Sequence, residues 1–120
     1  SVDGYTNLLL EQFIGLDGVS TLDRANVLSY YSTINCIINN TSGEDLVFRL
    51  IEMSFSQAIN YMELEADYTG TVTFKYSLDS GETYVNFPED QMIQTDVSTL
   101  IIKVEMANEA TLSNIAIFTK

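Results

Sequence analysis

Histidine and tryptophan are absent from the 120 residues of this chain, and cysteine and proline occur once each. Each absence removes a class of chemistry. Without histidine there is no ordinary general base for a serine or cysteine nucleophile, and the commonest zinc and iron ligand is missing. A single cysteine, Cys36, excludes an internal disulfide and a thiolate metal cluster. Positive charge is scarce too. Five Lys and Arg stand against 17 Asp and Glu, a net charge of −12 that repels phosphate backbones and anionic lipid. Nucleic acid and membrane surfaces are therefore poor partners. Apolar residues never run unbroken for the ~20 positions that a membrane helix needs. A glycine-rich phosphate loop, a G-x-S-x-G elbow and a dinucleotide fingerprint are all missing. What remains for catalysis is a pair of carboxylates of the glycosidase kind. With 17 acidic residues such pairs arise by chance, and no motif singles one out, so no enzymatic activity is expected.

What is present is alternation. Hydrophobic residues make up 46% of the chain, enough for one packed core, and we expect residues 1–120 to form a single domain. The chain opens Ser1-Val2-Asp3-Gly4, which does not read as a signal peptide. The expectation is a domain belonging to a longer protein. In 71–77, Val72, Phe74 and Tyr76 alternate with Thr73, Lys75 and Ser77. Asp79-Ser80-Gly81-Glu82 then supplies turn chemistry and Thr83 to Phe87 the return strand, which together predict a β-hairpin. Leu100, Ile102, Val104 and Met106 alternate with Lys103 and Glu105, and Ile115 and Ile117 share a face of the last strand. Leu46 to Phe55 is apolar on both parities, as in a central strand covered on both faces. Ser56-Gln57 reads as the turn into a strand over 58–66. Short strands with turn signals about every ten residues predict an antiparallel all-β fold, a β-sandwich.

The first third is less regular. Val27 to Ile38 is rich in β-branched and aromatic residues and predicts one long or two short strands, with Cys36 a buried, inert thiol in their apolar row. Lone cysteine usage fits assembly in a reducing cytoplasm. Leu8 to Gly15 fits either a short helix or an edge strand, and eight residues do not decide between them. Asn39 to Gly43 is a loop in which two overlapping N-glycosylation sequons, at Asn39 and Asn40, read as accidental.

Two binding chemistries are compatible with the inventory. Calcium takes carboxylate and carbonyl oxygens at loops, and Asp3, Asp17, Asp67, Asp79, Glu89 and Asp90 are the candidate donors. None has the spacing of an EF-hand, so no cofactor is assigned and solvated turn-capping carboxylates are the plainer reading. Seven tyrosines offer aromatic platforms for a sugar ring, and Tyr30, Tyr31 and Tyr68 are the candidate contact residues. Tyrosine also serves strands well on packing grounds alone, with its hydroxyl at the rim.

Tyr76-Ser77-Leu78-Asp79-Ser80-Gly81-Glu82-Thr83-Tyr84, the strand Leu100 to Met106 and the terminal segment Ala110 to Phe118 together resemble a known pattern. It is the C-terminal half of jelly-roll modules in tailed-phage and prophage virion proteins: tail fibres, baseplates and neck appendages. Ala58 to Ala66 fits as the strand before the hairpin, so the resemblance covers about residues 44–120. Tyr84 stands where tryptophan is frequent in that family. The resemblance implies a jelly-roll sandwich and a structural or attachment role in a virion assembled in the bacterial cytoplasm. Its partners would be other virion proteins, with oligomerisation expected, or a host-surface glycan. The alternative is an extracellular carbohydrate-binding module that uses tyrosines and loop carboxylates. The turn is structural in that family, so no ligand residue transfers. On the apolar content of Leu8 to Leu10, Leu28 and Tyr30, the first third is expected to supply the contact surface.

Overall fold

A computed structural model describes residues 7–11, 13, 15–87 and 92–120, with the backbone alone for 7–11 and 92–96. Nine strands and one short helix follow in the order β1 (Asn7–Glu11), α1 (Arg24–Leu28), β2 (Tyr31–Ser32), β3 (Ile37–Asn39), β4 (Leu46–Arg49), β5 (Met53–Thr69), β6 (Val72–Ser77), β7 (Val85–Asn86), β8 (Met92–Met106) and β9 (Thr111–Thr119). All strand pairings among the described residues are antiparallel. The fold is all-β.

Two long strands organise it. β8 pairs with β4 and β6 through its second half and with the start of β5 through its first. β5 then leaves β8 at Tyr61 and pairs with β9 from Met62 to Thr69. On its other side β9 takes β1 along 115–119 and β3 at 111–112. One strand thus belongs to both groups, and residues of both share one hydrophobic core.

Period-two alternation decides which residues fill that core. Leu100, Ile102, Val104 and Met106 of β8 are fully buried, as are Leu112, Ile115 and Ile117 of β9. Leu112 and Ile115 differ in parity, yet both are buried. A bulge reconciles them: Asp67 pairs with Asn114 and Tyr68 with Leu112, so Ser113 is the extra residue and the inward row is restored. Val72, Phe74 and Tyr76 of β6 face Met106, Val104 and Ile102 and pack on the core while staying half-buried.

Several expectations give way. The run from Leu46 to Phe55 is not covered on both faces. Leu46, Phe48 and Leu50 are buried, but Val47 and Ile51 are exposed, and the strand breaks after Arg49. Ser56-Gln57 is no turn, because β5 runs through it. The two polar residues fall in a register shift between Ser54 and Ile59, so their turn chemistry produces an irregularity and not a reversal. The return strand of the predicted hairpin shrinks to Val85–Asn86. Of the two readings of Val27 to Ile38, two short strands hold, β2 and β3, but helix α1 takes up the start of the segment. Asp23 precedes that helix, but its carboxylate accepts from the Arg49 backbone N–H at 3.0 Å and from Arg49 Nε at 2.9 Å, so the helix has no side-chain cap. Leu8 to Leu10 lie in a strand, β1. Cys36 sits half-buried in the β2–β3 turn at φ 54°, outside any apolar strand row.

Asn40 is a buried polar residue that ties two loops together. Its Nδ2 donates to the carbonyls of Glu44 at 2.7 Å, Met106 at 3.0 Å and Ala107 at 3.0 Å, and its Oδ1 accepts from Ser42 Oγ at 2.6 Å. Its backbone N–H donates to Ala110 O. It therefore fastens the β3–β4 loop to the β8–β9 turn. Fully buried, it offers no amide for glycan attachment, whereas Asn39 is exposed.

Candidate functional site

The three candidate tyrosines do not form one platform. Tyr30 and Tyr31 pack against the core, and the Tyr31 hydroxyl donates to the Phe13 carbonyl. Both are thereby committed to structure. Tyr68 alone of the three is exposed, at 48%, with its ring edge-on to Phe74 at 5.8 Å between centroids. It lies at the rim of the inward face of β5, opposite Leu112.

The candidate calcium donors that the structure describes, Asp17, Asp67 and Asp79, do not converge either. Among the described residues no three acidic side chains gather around a common point. Asp3, Glu89 and Asp90 lie outside the described residues. Asp67 accepts from Asn114 Nδ2 at 2.7 Å, which spends one of its oxygens on the neighbouring strand.

Asp79 is fully occupied in building the turn after β6. It accepts from the Thr83 hydroxyl at 2.5 Å, the Thr83 N–H at 2.9 Å and the Ser77 hydroxyl at 2.7 Å, while Ser77 Oγ accepts from the Gly81 N–H at 2.8 Å. The order Ser-x-Asp-x-Gly-x-Thr is thus a self-contained network in which each polar residue has a stated partner. Gly81 is needed at φ 94°, and a Cβ there would come within 3.2 Å of Tyr84 Oη. The bonds from Thr83 and then Ser77 hold the Asp79 carboxyl down at about 2, from an ordinary 3.8. A depressed folded-state value stabilises the fold above the ordinary carboxylate range, and that stabilisation is lost as pH falls toward 2. Asp79→Asn is expected to flatten the decline of the urea midpoint between pH 5 and pH 2. An unchanged acid limb in the variant would contradict this.

The exposed apolar side chains are more informative. Leu22, Leu28 and Ile34 in the first third are 77%, 62% and 90% exposed. Val47 and Ile51, on either side of Arg49, are exposed as well. Arg49 pairs with Asp23, next in sequence to Leu22, and helix α1 packs on β4. The segment around α1 and the outer side of β4 thus both carry exposed apolar groups, and the Asp23–Arg49 pair links the two. Of these residues, sequence reasoning identified Leu28 alone. Leu22 and Ile34 sit in turns, where no period marks the direction of a side chain. Val47 and Ile51 were misassigned by the apolar content of their strand. The side chains of Leu8 to Leu10 lie outside the described set.

No helix among the described residues is long and apolar enough to cross a membrane. No family model matches this chain, and no curated protein is similar to it at a significant level.

Proposed function

We propose that this chain is a non-enzymatic attachment module, a β-sandwich of jelly-roll type, that docks onto protein within a larger assembly. A phage or prophage virion appendage is the setting that its last two-thirds resemble. The observation that carries the docking role is the set of exposed apolar side chains in the first third and on the outer side of β4, Leu22, Leu28, Ile34, Val47 and Ile51, more numerous than those exposed elsewhere among the described residues, Tyr68, Leu78 and Val85. The sandwich reading is supported by β5, which passes from β8 to β9 while residues of both groups share one core. A second reading, glycan recognition, has the exposed ring of Tyr68 in its favour.

Sedimentation velocity separates the two. The domain is expected to self-associate, or to bind the neighbouring subunit of its parent assembly, and L22S/L28S/I34S is expected to abolish this while leaving the fold intact. A chain that stays monomeric, ignores that subunit and gives a glycan-array signal dependent on Tyr68 would replace the first reading by the second.

A further inference from the structure

Three of the five basic residues stand side by side in one row across a single face. Arg49 of β4 is directly opposite Lys103 of β8, Lys103 is opposite Lys75 of β6, and Lys75 is opposite Asn86 of β7. Lys103 alternates with buried Ile102 and Val104, so the row lies on the outer face of the sheet. Side chains directly opposite on adjacent strands start about 5 Å apart, where like charges destabilise a sheet. A protein with so few cations has nonetheless placed most of them together. Their countercharges are fewer. Asp23 takes Arg49 at 2.9 Å, and Glu105 is shared between Lys75 at 3.0 Å and Lys103 at 3.8 Å. Among the described residues, three cations meet two carboxylates, a local positive surplus on a chain of net charge −12.

The row is also held in place. Lys103 Nζ lies over the ring of Tyr84, 4.9 Å from its centroid, and the side chains of Arg49, Lys75 and Lys103 are 36%, 30% and 26% exposed. Stems packed on the sheet with heads at the surface reduce both the ordering cost and the solvent screening of a bound charge. The buried Tyr84 hydroxyl lies in the same cluster, beside Arg49.

We propose that this face binds a single oxyanion, a carboxylate or sulfate group, over Lys75 and Lys103 with Arg49 beside them. The ligand carries that one negative group on a small or otherwise neutral body, because the field of the remaining carboxylates repels a polyanion. The proposal rests on the basic row and not on the docking role, and it is tested separately from it.

The experiment is a ¹H–¹⁵N NMR titration with sodium sulfate, against sodium chloride at matched ionic strength, and in parallel with 3′-sialyllactose as a carboxylate-bearing probe. Saturable shifts at Thr73, Lys75, Lys103 and Asn86 are expected with sulfate. Lys103→Gln and Lys75→Gln are each expected to weaken binding about fivefold, the scale of one partly exposed charge contact. Lys120→Gln, a cation outside the row, is expected to leave it unchanged. Saturation by sialyllactose as well identifies an acidic sugar as the source, and saturation by sulfate alone identifies a free anion. Shifts equal to those from chloride, or undiminished in both row variants, would overturn the site. Retention of the amide dispersion of the parent spectrum shows in the same samples that the variants are folded.

Discussion

Replacing Asn40 with alanine is expected to lower the unfolding free energy by about 3–5 kcal/mol, read as a drop in urea midpoint at constant slope. The Nδ2 group donates to three carbonyls from two distant segments, Glu44 on one side and Met106 and Ala107 on the other. A buried hydrogen bond contributes about 1 kcal/mol net, and each acceptor stranded without water costs a further 1–3 kcal/mol. The two N–H groups are shared among three carbonyls, and the loss falls mainly on Met106 and Ala107, since Glu44 O also accepts from Ser42 Oγ. Asn39→Ala, one residue away and exposed, is the internal control, expected within about 0.5 kcal/mol of the parent. Equal effects at the two positions would mean that the loop is not fastened by Asn40.

Ile102→Ala is expected to cost about 2–5 kcal/mol, the range for truncating a large aliphatic side chain in a close-packed core. Ile102 is fully buried and faces Tyr76 across the β6–β8 ladder. The neighbouring Ile101 points to the other face and keeps partial exposure, so Ile101→Ala is expected to cost clearly less. Val47→Ala, on the exposed side of β4, is expected within about 0.5 kcal/mol. The order of these three tests the register. Reversal of the two isoleucines would mean that β8 presents its other side to the core.

The second half of β8 was legible because strict alternation leaves one assignment of faces, and burial of Leu100, Ile102, Val104 and Met106 follows from it, whereas the polar start of the strand from Met92 gave no such signal. β9 was legible from Ile115 and Ile117, but not through Ser113, since a bulge is set by the partner strand and leaves no mark in the local pattern. Leu46 to Ile51 misled for the opposite reason. Apolar content on both parities looked like double burial, while one parity is turned outward. The first third failed because its order comes from distant partners. Asp23 finds Arg49, and Tyr31 reaches the carbonyl of Phe13, by contacts that no short window contains. The candidate site shared this fate. Tyr30 and Tyr31 were read as either packing groups or sugar platforms, and both pack on the core, while the row of Arg49, Lys103 and Lys75 exists only once three strands are aligned.

The position of β9 bears on how such a chain reaches its native state. Thr111–Thr119 is the last strand in the sequence, yet it lies between β5 on one side and β1 and β3 on the other. Asn7 can meet Thr119 only after nearly all of the intervening chain exists. During synthesis, β1 and β3 must therefore wait without β9, and one edge of β5 from Met62 to Thr69 stays unpaired. Such high contact order slows folding, because loop closure is lost before pairing compensates. The nascent chain is thus most prone to aggregate in the interval before Thr111–Thr119 emerges, and a truncation ending at Ala110 traps it in that state.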